Sequence, residues 1–160
     1  MRIHIHDIWI SPGHDFRGGV KDYRTKHAMM RMDEIVCDAG LGLAGDRYHG
    51  ERPGSKKQVT FISRDVLDEM CRELSVVSLD YAALRRNILV SGVDLNTLIG
   101  KTFALNNVVF EGVEECSPCY WMDEAVKPGA HAWLSGRCGL LCRILTGGVI
   151  RCGEAALEIS

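Results

Sequence analysis

Two cysteine pairs, Cys116-x2-Cys119 and Cys138-x3-Cys142, stand eighteen residues apart and carry the strongest chemical signal in the chain. Four thiolates at such spacing suit tetrahedral zinc. Yet Cys142 lies within the apolar run 140–145, which reads as a buried strand and not as a turn that presents ligands. Zinc knuckles usually place glycine after the second thiol, where Tyr120 and Arg143 stand here. A second reading is a redox disulfide between Cys116 and Cys119. Pro118 weighs against it, because it removes an amide donor from the loop and holds Ser117 extended, whereas a redox motif opens a helix whose N-terminus favours thiolate. A third reading makes Cys119 a single exposed thiolate on a proline-stiffened turn, with Tyr120 and Trp121 packed behind it. Soft thiolate is the ligand suited to a metal handled with sulfur chemistry, or to carrying a persulfide. A lone cysteine is ordinarily a buried, inert hydrophobe, which fits poorly with a polar, proline-bearing loop.

Basic residues form the next constellation. Lys56-Lys57 and Arg85-Arg86 are local clusters in a chain of net charge -2, so they suit one small anion such as phosphate better than a nucleic-acid polymer. A solvated surface is the competing interpretation. Seven cysteines form an odd count, and the segment Met-Arg-Ile-His-Ile-His-Asp lacks the features of a signal peptide. The expectation is a reducing, cytoplasmic setting with no disulfide framework, in which most thiols are buried. No apolar run approaches the ~20 residues of a membrane helix. Hydrophobic residues at 46% and charged residues at 25%, over 160 residues, point to one globular domain spanning 1–160.

The elements that must position these residues are short. Residues 2–10 alternate as a strand ending at Ser11-Pro12-Gly13, and a polar loop follows to Tyr23. A second strand is expected over 28–36, before the glycine-rich 39–46. Residues 58–62 read as a buried strand. Ser63 then caps a helix over 63–74, with Val66, Leu67, Met70, Cys71 and Leu74 on one face and Asp65 in the first turn. A shorter helix over 79–84 precedes an extended stretch ending at Gly92. Asn106-Asn107 tolerates positive φ and joins 101–105 to 108–113 as a hairpin. Helical turns near Ala125 and Ala132 precede strands over 139–145 and 155–159, and Gly147-Gly148 turns the chain toward Val149-Ile150. His4 and His6, alternating with isoleucines, are expected to face solvent. His49 reads as a polar loop residue, and Trp133 as ordinary packing, with a lid over the cysteine loop as its sharper alternative. Many short strands with helical decoration predict a mainly β, barrel-like fold.

At this point the sequence resembles a known family. Gly42-x2-Gly45-Asp46-Arg47, Lys57-Gln58-Val59-Thr60 and Arg85-x-Asn87-Ile88 match successive landmarks of the MOSC domain. So do Leu98-x-Gly100, Ser117-Pro118-Cys119 and Gly148-x-Ile150-x-x-Gly153-Glu154. The order runs from about residue 40 to the C-terminus. The resemblance implies a pyruvate-kinase-like β-barrel and a cysteine, here Cys119, able to ligate molybdenum or carry sulfur. It implies the molybdenum cofactor (molybdopterin) as ligand, with Arg47, Arg85 and Asn87, together with Lys57 of the basic pair, as cofactor-binding residues. A guanidinium offers phosphate a fixed fork, and asparagine can donate and accept toward a pterin.

The reductase branch implies two-electron reduction of a small N-hydroxylated or N-oxide-type compound, with electrons from a donor protein. The alternative is a non-redox sulfur carrier that accepts a persulfide on Cys119 from a cysteine desulfurase. No pyridoxal phosphate is expected in this chain. Two landmarks depart from the family: Glu154 stands where an aspartate is common, and reductase members carry a Lys-Ser pair soon after the first strand, where this chain reads Ser11-Pro12-Gly13-His14. His14, Arg17 and Lys21 stand as substitutes. A zinc-stabilised binding module, held through Cys138 and Cys142, is the remaining class.

Overall fold

The computed structural model describes residues 1–15 and 27–160. The chain opens with β1 (Arg2–Ile10), where isoleucines alternate with polar residues. A bulge between Ile5 and Asp7, in the pairing with β6 (Ile88–Ser91), shifts the alternation by one residue. Ile3, Ile5, Ile8 and Ile10 therefore all join the barrel core, while Trp9 enters a second apolar cluster outside it.

Two short strands follow, β2 (Met30–Met32) and β3 (Glu34–Asp38). The single strand expected over 28–36 is thus divided, because β2 pairs with β1 and β3 belongs to another sheet. Next come β4 (Gly42–Leu43), β5 (Val59–Ser63) and α1 (Arg64–Glu73). Ser63 caps α1 by accepting the Val66 amide at 3.3 Å. Leu67 and Met70 turn inward from that helix onto Ile62 and Leu89, the outward-facing residues of β5 and β6. The later strands are β7 (Thr102–Leu105), β8 (Val108–Glu115), β9 (Leu140–Thr146), β10 (Gly148–Arg151) and β11 (Gly153–Ile159). Asn106, at φ 52, turns the β7–β8 hairpin. Two one-turn helices, α2 (Trp121–Ala125) and α3 (Ala130–Leu134), separate β8 from β9.

The main sheet runs β11-β7-β8-β9-β5-β6-β1 and closes through β1 on β11, with β2 appended to β1. The result is a seven-stranded barrel, antiparallel except for the β5–β6 pair. A three-stranded sheet, β10-β3-β4, lies alongside. Closure leaves the barrel no free edge between β1 and β11. Inside, Phe61, Phe103 and Phe110 pack with centroids 5.3–5.9 Å apart, Phe61 edge-on to Phe110. No helix among the described residues is long and apolar enough to cross a membrane.

Candidate functional site

The cysteine loop leaves β8 at Cys116 and is fastened to the barrel at once, since the Cys116 amide donates to the Gly139 carbonyl at 2.8 Å. Gly139 allows this approach. Its φ is +115, and a Cβ there would lie 2.2 Å from the Phe61 carbonyl oxygen. At the far end, the Met122 amide donates to the Cys119 carbonyl at 2.9 Å and starts α2. The four thiols of the two pairs separate. Cys142 belongs to the barrel core and Cys138 to the outer cluster; Cys116 is buried, and Cys119 alone of the four is exposed. No group of three or more metal-ligating side chains forms among the described residues. The zinc reading fails because strand alternation in β9 directs Cys142 to the opposite side of the sheet from the cysteine loop's cleft.

Cys119 lies in a recess of about 120 Å³ with His14, Arg47, Tyr48, Arg85, Arg86 and Trp121. A larger cleft of about 390 Å³ shares Arg47, Tyr48, Arg85 and Arg86 and continues past Lys56, Lys57, Thr60, Glu115 and Ser117. The two basic clusters of the sequence therefore converge with Arg47 on one site. Their charges differ in availability. Lys56 pairs with Glu114 at 2.6 Å, while Lys57 is exposed and makes no ion pair among the described residues.

Arg85 and Asn87 do more structural work than the sequence suggests. Arg85 sits at φ 55, rare for a residue with a Cβ. Its guanidinium holds that conformation by donating to the His27 carbonyl (2.8 Å), Ser11 Oγ (3.1 Å), the Gly13 carbonyl (3.2 Å) and Asp15 (3.2 Å). Burial, and then the neighbouring Arg47 cation, lower its pKa from the ordinary arginine value. Asn87 is almost wholly buried. Its Oδ1 accepts the Thr60 amide and hydroxyl at 3.0 and 2.9 Å, and its Nδ2 donates to the Trp9 carbonyl at 3.1 Å. It pins β1 to β5 behind the cleft.

Asp46 completes this frame by accepting the Ser11 amide at 3.0 Å and Arg47 Nη1 at 3.2 Å. Arg47 also donates to the Arg85 carbonyl at 3.3 Å and lies over the Tyr48 ring, 4.9 Å from its centroid.

Arg86 is the functional candidate that sequence reasoning passed over, although its pairing with Arg85 marked the cluster. It lines both parts of the site. Among the described residues it meets no carboxylate, only four backbone carbonyls and Cys138 Sγ, at 3.4–3.5 Å. Burial opposes its charge, but the Cys116 and Cys138 sulfurs offset this and its pKa is raised. Burial likewise pushes the Cys116 thiol up, with Arg86 and Lys57 pulling the other way.

Of the substitutes for the Lys-Ser pair, His14 reaches the recess and pairs with Glu51 at 2.7 Å. Arg17 and Lys21 fall outside the described residues. His4 and His6 are only half exposed, bonded to Glu154 and Ser91 respectively. His49 pairs with Asp38 at 2.7 Å, and Trp133 packs in the outer cluster with its indole donating to Glu73.

Among solved structures, YuaD from Bacillus subtilis is similar with a TM-score of 0.76 at 18% identity, covering 99% of this chain and 96% of that one. YiiM from Geobacillus stearothermophilus gives 0.70 at 13% identity, covering 99% and 75%. YiiM from Escherichia coli gives 0.63 at 17%, covering 100% and 70%. At these identities the likeness concerns the fold. No curated protein matches the chain in sequence. The MOSC domain matches residues 45–156, from the second glycine of the Gly-Asp-Arg landmark to the last strand. That span exceeds two-thirds of the 160 residues and includes Arg47, Lys57, Arg85, Arg86 and Cys119, and the chain belongs to the MOSC domain family.

Proposed function

We propose that this protein binds the molybdenum cofactor in the cationic cleft, with Cys119 as its thiolate ligand. Bound there, it would act as a reductase component on small N-hydroxylated or N-oxide-type compounds, with electrons supplied by a donor protein. The observation that carries the reading is the meeting of one exposed thiol with Arg47, Arg85 and Arg86 in one recess, continuous with a cleft of about 390 Å³. That size lies within the range of about 300–1,000 Å³ usual for small-ligand sites.

The residues present fit such a group. Lys57 is exposed and has no carboxylate partner among the described residues, so an anionic phosphate has a donor to meet, while Arg86, held by backbone carbonyls and no carboxylate there, adds positive charge to the cleft. Asn87 and Arg85 contribute by fixing the backbone, since their polar groups are engaged by the protein. Tyr48, Leu84, Trp121 and Met122 line the recess beside the sulfur. When bound, a molybdenum centre supplies two-electron redox chemistry that no side chain here possesses. A cysteine kept reduced as a ligand fits a reducing, cytoplasmic setting.

The test is purification from a host that makes the cofactor, followed by metal analysis and fluorescence of the oxidised pterin on one sample. Molybdenum and pterin in equal amounts, both reduced at least about tenfold in Cys119→Ser, are expected. Their absence from the wild-type protein would overturn the reading. Cys119 is exposed, so the serine variant keeps its fold.

That same exposure favours a second reading, sulfur carriage. A desulfurase persulfide would pass its terminal sulfur to the Cys119 thiolate, leaving the donor cysteine as thiolate and forming a Cys119 persulfide. Intact mass after incubation with a desulfurase and free cysteine decides between the two. A gain of one sulfur, lost in Cys119→Ser, without retained pterin supports carriage.

A further inference from the structure

Among the cations of the large cleft stand two carboxylates, Glu114 and Glu115. Glu114 is taken by Lys56 at 2.6 Å. Glu115 is half-buried, yet it makes no ion pair among the described residues. Its Oε1 accepts the Cys138 amide at 3.3 Å, and Oε2 meets no protein donor there. The nearby Arg86 guanidinium does not quench it, because its donors are turned to the carbonyls of Leu84, Cys116, Ser117 and Cys138. A carboxylate has about four lone-pair positions, so most of the acceptor capacity of Glu115 is unused.

Its position is also rigid. A register shift in β8 between Gly112 and Glu114 sets Glu114 opposite Leu141 and Glu115 opposite Leu140. The following residue is held by the Cys116 amide on Gly139. The cleft is therefore bipolar, with cations for an anionic group and one fixed carboxylate for a donor group.

We propose, resting on the pterin reading above, that Glu115 reads the ring of the ligand. Its carboxylate accepts from the adjacent N–H groups of a 2-amino-4-oxopyrimidine, the edge that a pterin presents. Two parallel N–H donors facing a carboxylate form the same fork as an arginine–carboxylate pair. Guanine carries this edge too, so the shared feature is the ring edge, and the test separates the sources.

The full chain, free of cofactor, is titrated with 6-carboxypterin by fluorescence and with 6-carboxylumazine, whose 2-position is a carbonyl instead of an amine. Guanosine monophosphate serves as competitor. Wild-type protein is expected to prefer the pterin by at least about tenfold, since a site built to accept hydrogen bonds rejects an analogue lacking the donor. Glu115→Gln loses that preference, while Glu114→Gln retains it. The glutamine carbonyl still accepts the Cys138 amide, so an unchanged Tm is the folding control.

Equal binding of pterin and lumazine by wild type, or an undiminished preference in Glu115→Gln, overturns the assignment and leaves the cofactor reading standing. Wild-type protein that binds neither probe also overturns the assignment; if it further lacks molybdenum and pterin as purified, the cofactor reading falls with it. Guanosine monophosphate bound more tightly than the pterin, and lost in Glu115→Gln, supports the ring contact and overturns the pterin as its source.

Discussion

Replacing Asn87 with alanine separates a scaffold role from a ligand role. The substitution removes acceptance of the Thr60 amide and hydroxyl and donation to the Trp9 carbonyl, three bonds of 2.9–3.1 Å in a buried setting, and a longer one of 3.4 Å to Asp46. At about 1 kcal/mol net for each good bond, with stranded buried partners raising the figure, the loss is about 3–4 kcal/mol. For a chain of this size each kcal/mol moves Tm by about 2–4 °C, so Tm falls by about 10 °C. Asn87→Asp is at least as damaging, because a carboxylate oxygen would replace Nδ2 against the Trp9 carbonyl and the Asp46 carboxylate. Thermal melting followed by circular dichroism, checked by urea titration, measures both. A shift under about 2 °C in Asn87→Ala, accompanied by loss of cofactor or pterin binding, would refute the scaffold reasoning and return Asn87 to the ligand set.

Two further outcomes follow from buried groups. Burial, then the Asp38 charge, push the Cys37 thiol up to about 12 from an ordinary value of 9.0. Between these values the folded chain keeps a proton that the unfolded chain releases, so stability falls as pH rises from about 9 toward 12. Cys37→Val should flatten that alkaline limb in urea titrations, and an unchanged limb would count against it. Gly139→Ala should lower Tm and loosen the cysteine loop together, since the added methyl meets the Phe61 carbonyl and φ is +115. Limited proteolysis near Pro118 reads the second effect.

Local chemistry was legible where one element determines its own shape. The strand over 2–10, the Ser63 cap and the Asn106 turn match their expectations because each depends on residues within a few positions. The division of 28–36 was not legible, since it arises from partners in two different sheets. Barrel closure through β1 and β11, and the parallel β5–β6 pair, are likewise set by distant strands. In the site, motif order brought out Arg47, Lys57, Arg85 and Cys119. It could not show that the donors of Arg85, Arg86 and Asn87 are spent on the protein, nor that Glu115 retains unused acceptor capacity. Residue type names a capability, and only the neighbours decide whether it is free.

The attachment of the cysteine loop has a mechanical consequence. From the Cys116 amide on the Gly139 carbonyl to the Trp121 indole on the Ala83 carbonyl, few peptide units hang between anchored points. The sulfur cannot swing independently of the barrel. The Cys116 amide hydrogen should therefore exchange more slowly than those of Ser117 and Cys119. Whatever this sulfur grips must travel to it.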